Sequence, residues 1–98
     1  MTIEKKLNGT ALKIALEGRL DTMTAPELEA ELGKSLGEAE SLVLDFSKLE
    51  YISSAGLRVL LSAHKAMSGK DGMKVTNVNE IVQEVFEVTG FADILTIE

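Results

Sequence analysis

The sequence predicts an α/β fold, a mixed sheet packed against helices in the order β-β-α-β-α-β-α-β. Three observations predict it. An Asn8-Gly9 pair separates two partly alternating runs at the N-terminus, which signals a hairpin. Three later segments carry apolar residues at helical spacing behind recognisable start signals. Short apolar runs, "SLVLDF", "MKVTNV" and "ILTI", alternate with those helices, so the strands they form are joined by crossovers that require parallel neighbours and right-handed connections. Ninety-eight residues with 45% hydrophobic content fit one compact domain over residues 1–98.

In the hairpin, a two-residue Asn8-Gly9 loop pairs Leu7 with Thr10, Lys5 with Leu12, Ile3 with Ile14 and Met1 with Leu16, and sets Glu4 against Lys13 on the other face. The loop requires positive φ at both central positions. In "RLDTMTAPELEAELGKSLGEAE", Thr24, Pro26 and Glu27 supply a capping box with a proline in the first turn. Leu28, Leu32 and Leu36 form the inward stripe of this first helix, and its acidic residues form a solvated face.

"SLVLDF" is nearly continuous in apolar residues, as expected of a central strand covered on both faces. The second helix follows Ile52, with Leu57, Leu60, Leu61, His64 and Met67 inward and Gly69 as its stop. The third begins at the N-cap Asn79, turns Ile81, Val82, Val85 and Phe86 inward and ends at Gly90.

Composition narrows the function. There are no cysteines, so neither disulfides nor thiolate metal sites are available, and a cytoplasmic location is expected. Sixteen acidic residues against ten basic give a net charge of -6, which repels nucleic-acid phosphates and anionic lipid, so neither nucleic acid nor membrane is an expected partner. His64, the only histidine, lies on an inward stripe, where a structural role is expected; one histidine cannot assemble a metal site or a serine-histidine-carboxylate relay. Asp45 sits where a receiver domain carries its phosphoacceptor, but the early turns lack the acidic pair that holds magnesium, and a turn-forming role is preferred. No glycine-rich phosphate motif occurs, and no cofactor or catalytic residue is expected.

The residues that remain are two adjacent hydroxyls. Ser53 suits the N-cap of the second helix, which puts Ser54 at its first position. A cap accounts for only one of them. Ser54, followed by the small residues Ala55 and Gly56, lies on an uncrowded helix N-terminus that favours an added negative charge, as a modification site would.

The segment "LDFSKLEYISSAGLRVLL", with "GRLDTMTAPEL" before it and "VTGFADILTI" after it, closely resembles the STAS domain of bacterial anti-sigma factor antagonists. The resemblance spans nearly the whole chain and implies a STAS-type fold. It also implies a binding module, not an enzyme. In that family a serine at the start of the second helix, in a pattern like Asp-Ser-Ser/Thr-Gly-Leu, is phosphorylated by the anti-sigma factor, itself a serine kinase. A serine phosphatase reverses the modification, and only the unphosphorylated antagonist binds the anti-sigma factor and frees the sigma factor.

On this chain the resemblance assigns the phosphoacceptor to Ser54, the pattern's glycine to Gly56 and its leucine to Leu57. It implies a contact surface of Asp21, Thr22, Ser53, Ser54, Ala55, Gly56 and Arg58. Ser53 stands in place of the aspartate and Ala55 in place of the second serine or threonine. Two alternatives differ in class. One is a STAS subunit of a transporter or signalling assembly that is never phosphorylated, which Ser53 favours; the other is a small enzyme using Asp45 or Asp21, against which the absence of clustered acids argues.

Overall fold

The computed structural model describes all 98 residues. The elements are β1 (Thr2–Asn8), β2 (Ala11–Leu20), α1 (Ala25–Ser35), β3 (Ser41–Ile52), α2 (Ser54–Met67), β4 (Gly72–Thr76), α3 (Glu80–Thr89), a 3-10 turn (Phe91–Asp93) and β5 (Thr96–Ile97). They form one five-stranded sheet in the order β1-β2-β3-β4-β5, antiparallel only between β1 and β2. This is the predicted α/β order.

The hairpin forms with a different register. Its two loop residues are Gly9 and Thr10, and the pairs run Asn8–Ala11, Leu7–Leu12, Lys5–Ile14 and Ile3–Leu16. Only Gly9 has positive φ, +62°, so one glycine suffices where the predicted loop needed two such residues. The shift is two residues, an even number, so each side chain keeps its predicted face. The apolar face gains the pair Leu7–Leu12. On the other face Lys6 opposes Lys13, and Glu4 opposes Ala15 in place of the predicted Glu4–Lys13 pair. Lys5 points toward the helices from this edge strand, and its Nζ lies 3.1 Å from Glu31 Oε2 and 3.0 Å from Ser35 Oγ on α1.

The sheet is covered on one face, not two. Along β3, Leu42, Leu44 and Phe46 are buried while Val43 and Asp45 are only half-buried, because the helices pack on the first set and solvent meets the second. The apolar run was misleading at one position, Val43. β3 then carries two register irregularities against β2, between Ala15 and Glu17 and between Gly18 and Arg19. Each gives β3 an extra residue, which is why Leu49 and Ile52, three apart, both still face the core.

The core is a cluster of 23 buried residues that includes no polar or charged side chain. α1 contributes Ala25, Leu28 and Leu32 to it. α2 contributes Leu57, Val59, Leu60, Ala63 and Met67, with Gly56 buried beside them, while the predicted inward residues Leu61 and His64 are half-buried at the margin. α3 contributes Val82 and Phe86, with Phe86 lying 6.5 Å from Phe46 between ring centroids. Ile81, predicted inward, is 59% exposed, since a 10-residue helix with Val82 and Phe86 at its centre turns Ile81 about 100° away. Asn79 caps α3 as predicted: Val82 N donates to its Oδ1 at 2.8 Å, and its Nδ2 donates to Leu49 O.

Leu44 is fully buried at the centre of this core. Leu44→Asp puts an unpaired carboxylate there and should cost several kcal/mol, enough to unfold the chain. Chemical denaturation followed by circular dichroism checks it; a cooperative transition close to the parent's would contradict the placement.

Candidate functional site

Because β2 and β3 are parallel, their C-terminal ends lie at the same edge of the sheet, with Leu20 beside Ile52. The turn into α1 and the start of α2 leave from that edge. Ser53 N donates to Leu20 O at 2.9 Å and ties the two exits together. Six of the seven expected site residues are partly or fully accessible here, and one is not.

Gly56 is that one. It is buried, and a Cβ there would lie 2.8 Å from both Ile52 Cγ1 and Leu20 Cγ and 3.0 Å from Leu20 O. It therefore contributes no contact surface; it lets the first turn of α2 sit directly on the ends of β2 and β3. Ser54 is the first residue of α2 and is exposed, Ala55 is half-buried and Arg58 is exposed. The first turn of α2 carries no acidic residue, so no carboxylate on the helix itself offsets the partial positive charge of its free amides.

Ser53 holds the N-cap position through its backbone, with extended φ and ψ and its carbonyl accepting from Leu57 N at 3.0 Å. Its side chain does not do what a cap predicts. The hydroxyl makes no hydrogen bond to the helix, and Oγ is buried without a partner.

Capping is displaced to the other exit, too. Thr24 stands at the N-cap of α1, but its hydroxyl accepts from Asp21 N at 2.9 Å and donates to Arg19 O at 2.7 Å, so the predicted capping box is not formed. Asp21 takes over. Its Oδ1 accepts from Met23 N at 3.0 Å and Thr24 N at 3.2 Å, an Asx turn that leads the chain into the helix. Partial desolvation pushes the Asp21 carboxyl up, but the amides of Thr24 and Met23, the Thr24 hydroxyl and the Arg19 guanidinium outweigh it and hold the group below its ordinary value. Asp21 is thus a structural residue of the turn as well as a half-exposed carboxylate beside the start of α2.

Two features of this edge lie outside the predicted set. Met23 is 83% exposed at the tip of the turn, beside the exposed Thr22; its signal in the sequence is an apolar residue between two threonines where a polar turn is expected. Arg19 stacks over the Tyr51 ring at 4.7 Å, its cross-strand partner, with Nε 3.9 Å from Asp21 Oδ2. No single residue signals that pair; it follows from the register of β2 on β3.

Asp45 lies apart from this edge, on the uncovered face of the sheet. Its Oδ1 accepts from Asn77 Nδ2 and Ser47 N, both at 3.0 Å, so it fixes the first irregularity of β3 and not the end of the strand. The Asn77 amide first, then the Ser47 amide, hold its carboxyl below the ordinary value against partial desolvation.

Comparison with known proteins gives a consistent result. A family model described as Mlab, STAS domain, matches residues 3–96. The "Putative anti-sigma factor antagonist BtrV" of Bordetella bronchiseptica is 37% identical over 94 residues, covering 94% of this chain and 80% of that protein. An anti-sigma factor antagonist of Mycobacterium paratuberculosis superposes with a TM-score of 0.89 at 23% identity, over 98% of this chain and 83% of the other. The Bacillus protein SpoIIAA, solved in a phosphorylated form, superposes with a TM-score of 0.76 at 17% identity, over 99% of this chain and 91% of the other.

Two outcomes follow from this geometry. Gly56→Ala should destabilise the fold by about 1–3 kcal/mol through overpacking against Leu20 and Ile52 and should shift the first turn of α2, which amide NMR would register at Ser53 to Leu57; an unchanged melt and spectrum would contradict the close approach. A lowered folded pKa means that Asp45 stabilises the fold fully above its unfolded value of about 3.8, and that this contribution is lost as pH falls through the lower folded value. Asp45→Asn should accordingly flatten the acid limb of stability against pH while leaving its neutral region level.

Proposed function

The chain belongs to the STAS domain family and, within it, to the anti-sigma factor antagonists, which are non-enzymatic binding modules; from that premise we propose that it binds an anti-sigma factor through the edge formed by the exits of β2 and β3, and that phosphorylation of Ser54 switches this binding off. The anti-sigma factor acts as the serine kinase and a serine phosphatase restores the binding form. Residues 1–98 act as one domain, in the cytoplasm where an anti-sigma factor would meet it. No helix is long and apolar enough to cross a membrane.

The observation that carries the reading is the exposed hydroxyl of Ser54 at the first position of a 14-residue helix whose first turn is free of acids. Asp21, Thr22, Ser53, Ala55 and Arg58 surround it as the docking surface, Gly56 supports it from beneath, and Met23 adds an apolar contact. A phosphate there adds about -1.5 to -2 charges where amides and dipole stabilise it, so the helix is held and the fold is unchanged. In a partner interface the same group meets desolvation and nearby carboxylates. One such pair at ~5 Å and an effective dielectric of ~20 costs about 3 kcal/mol before screening. A penalty of roughly 1.5 to 3 kcal/mol weakens binding about ten- to a hundredfold, enough for a sigma factor to recapture the anti-sigma factor.

Incubation with the cognate kinase should label Ser54 and not Ser53, and Ser54→Ala should abolish labelling with stability nearly unchanged, as mass spectrometry and a melt would read. The phosphorylated protein should lose partner affinity about ten- to a hundredfold with amide shifts confined to Asp21 and Ser53 to Arg58. Label on Ser53, shifts spread across the sheet, or an unaltered affinity would each sink the switch.

A further inference from the structure

Five large hydrophobic residues are exposed in the molecule, and three of them, Ile81, Val88 and Ile94, fall in its last 18 residues. Ile81 is 59% exposed and Val88 77%. With the half-buried Val85 they occupy positions i, i+4 and i+7 of α3, which makes one continuous apolar row along the helix. Ile94 closes the 3-10 turn that packs against α3.

Beside this row runs a second one, Glu80, Glu84 and Glu87, at the same spacing and fully on the solvent side. α3 contains no lysine or arginine, and none of the three carboxylates lies within ion-pair distance of a cation elsewhere in the chain. An apolar row flanked by an unneutralised acidic row is complementary to a helix carrying leucine-like residues on one face and lysine or arginine along its flank. We infer that the exposed face of α3 docks a basic amphipathic helix of another protein. A second copy of this chain would bring acid against acid in a molecule whose net charge is already -6, and an anionic lipid surface would be repelled in the same way.

This surface is separate from the proposed switch. Ser54 lies on α2, and the α3 row involves neither α2 nor the turn around Asp21. The chain can therefore be held by one partner through α3 while a second engages or releases the edge around Ser54, and the docking on α3 does not depend on the phosphorylation state of that edge.

The test uses the full chain, isotopically labelled, and two synthetic helix-forming peptides with leucine on one face and either lysine or glutamate on the flanks. The lysine peptide should bind saturably and move the amides of Ile81, Glu84 and Val88, while its glutamate twin should not bind. The paired changes Ile81→Ser with Val88→Ser, and Glu84→Lys with Glu87→Lys, should each weaken binding by about tenfold or more. The equal charge change Glu27→Lys with Glu29→Lys on α1 should leave it unaltered, as should Ser54→Asp. All these positions are exposed, and a melt verifies folding of each variant. Equal binding of both peptides, shifts centred elsewhere, or an equal loss from the α1 pair would overturn the inference. So would sedimentation showing that the unmodified chain self-associates through Ile81 and Val88, or binding to anionic vesicles through the same residues.

Discussion

The close approach at Gly56 governs the arrangement at the sheet edge. Leu20 and Ile52, the last residues of two parallel strands, leave no space for a Cβ between themselves and the first turn of α2. A helix that must touch the sheet at the third residue of its first turn has little freedom in tilt or register, so Ser54 is presented outward from a fixed base. The hydrogen bond from Ser53 N to Leu20 O fastens the same junction from the side. The exposed hydroxyl is thereby held by packing and backbone bonds, and not by a capping side chain.

The consequence for Ser53 is instructive. Its carbonyl does the work of an N-cap while its Oγ lies buried without a partner, an arrangement that costs free energy unless the junction supplies it from elsewhere. Leu20, Ile52 and Gly56 pack closely at the same junction. At the neighbouring exit the roles are likewise redistributed: Asp21 begins the turn that Thr24 was suited to begin, and Thr24 turns back to serve the end of β2. Both exits show a cap-type residue satisfied, or left unsatisfied, according to what tertiary contact requires.

Much of this was legible in the sequence. Helical periodicity found all three helices, and Asn79 and Gly90 bounded the third because capping is a local matter that one side chain and one φ value decide. Ser53 at the N-cap position and Ser54 at the first helical position were likewise legible. What failed depended on partners distant in the chain. The hairpin register turned on whether Leu7 meets Leu12, and two strands that keep their faces under a two-residue slip give local pattern little to choose between. Val43 read as buried because hydrophobicity does not say on which side of a sheet the helices lie. Gly56 read as surface because the atoms that exclude a side chain there belong to residues 36 and 4 positions away. The Arg19–Tyr51 stack requires the two irregularities of β3, which no motif announces.

The strand order has its own implication. Every strand pairs with its immediate neighbours in sequence, so no strand must be inserted between two already in place. As the chain leaves a ribosome, the β1–β2 hairpin can close first, and each later strand can join the growing edge as its preceding helix covers the inner face. The unfinished edge during this sequence is always the one that the next segment will occupy. The opposite edge is guarded from the beginning by Lys5, a charge set on the inner side of β1 that discourages a foreign strand from adding there. Assembly in one direction, with the rear edge protected by a single lysine, is a route by which so small a sheet avoids pairing with other nascent chains.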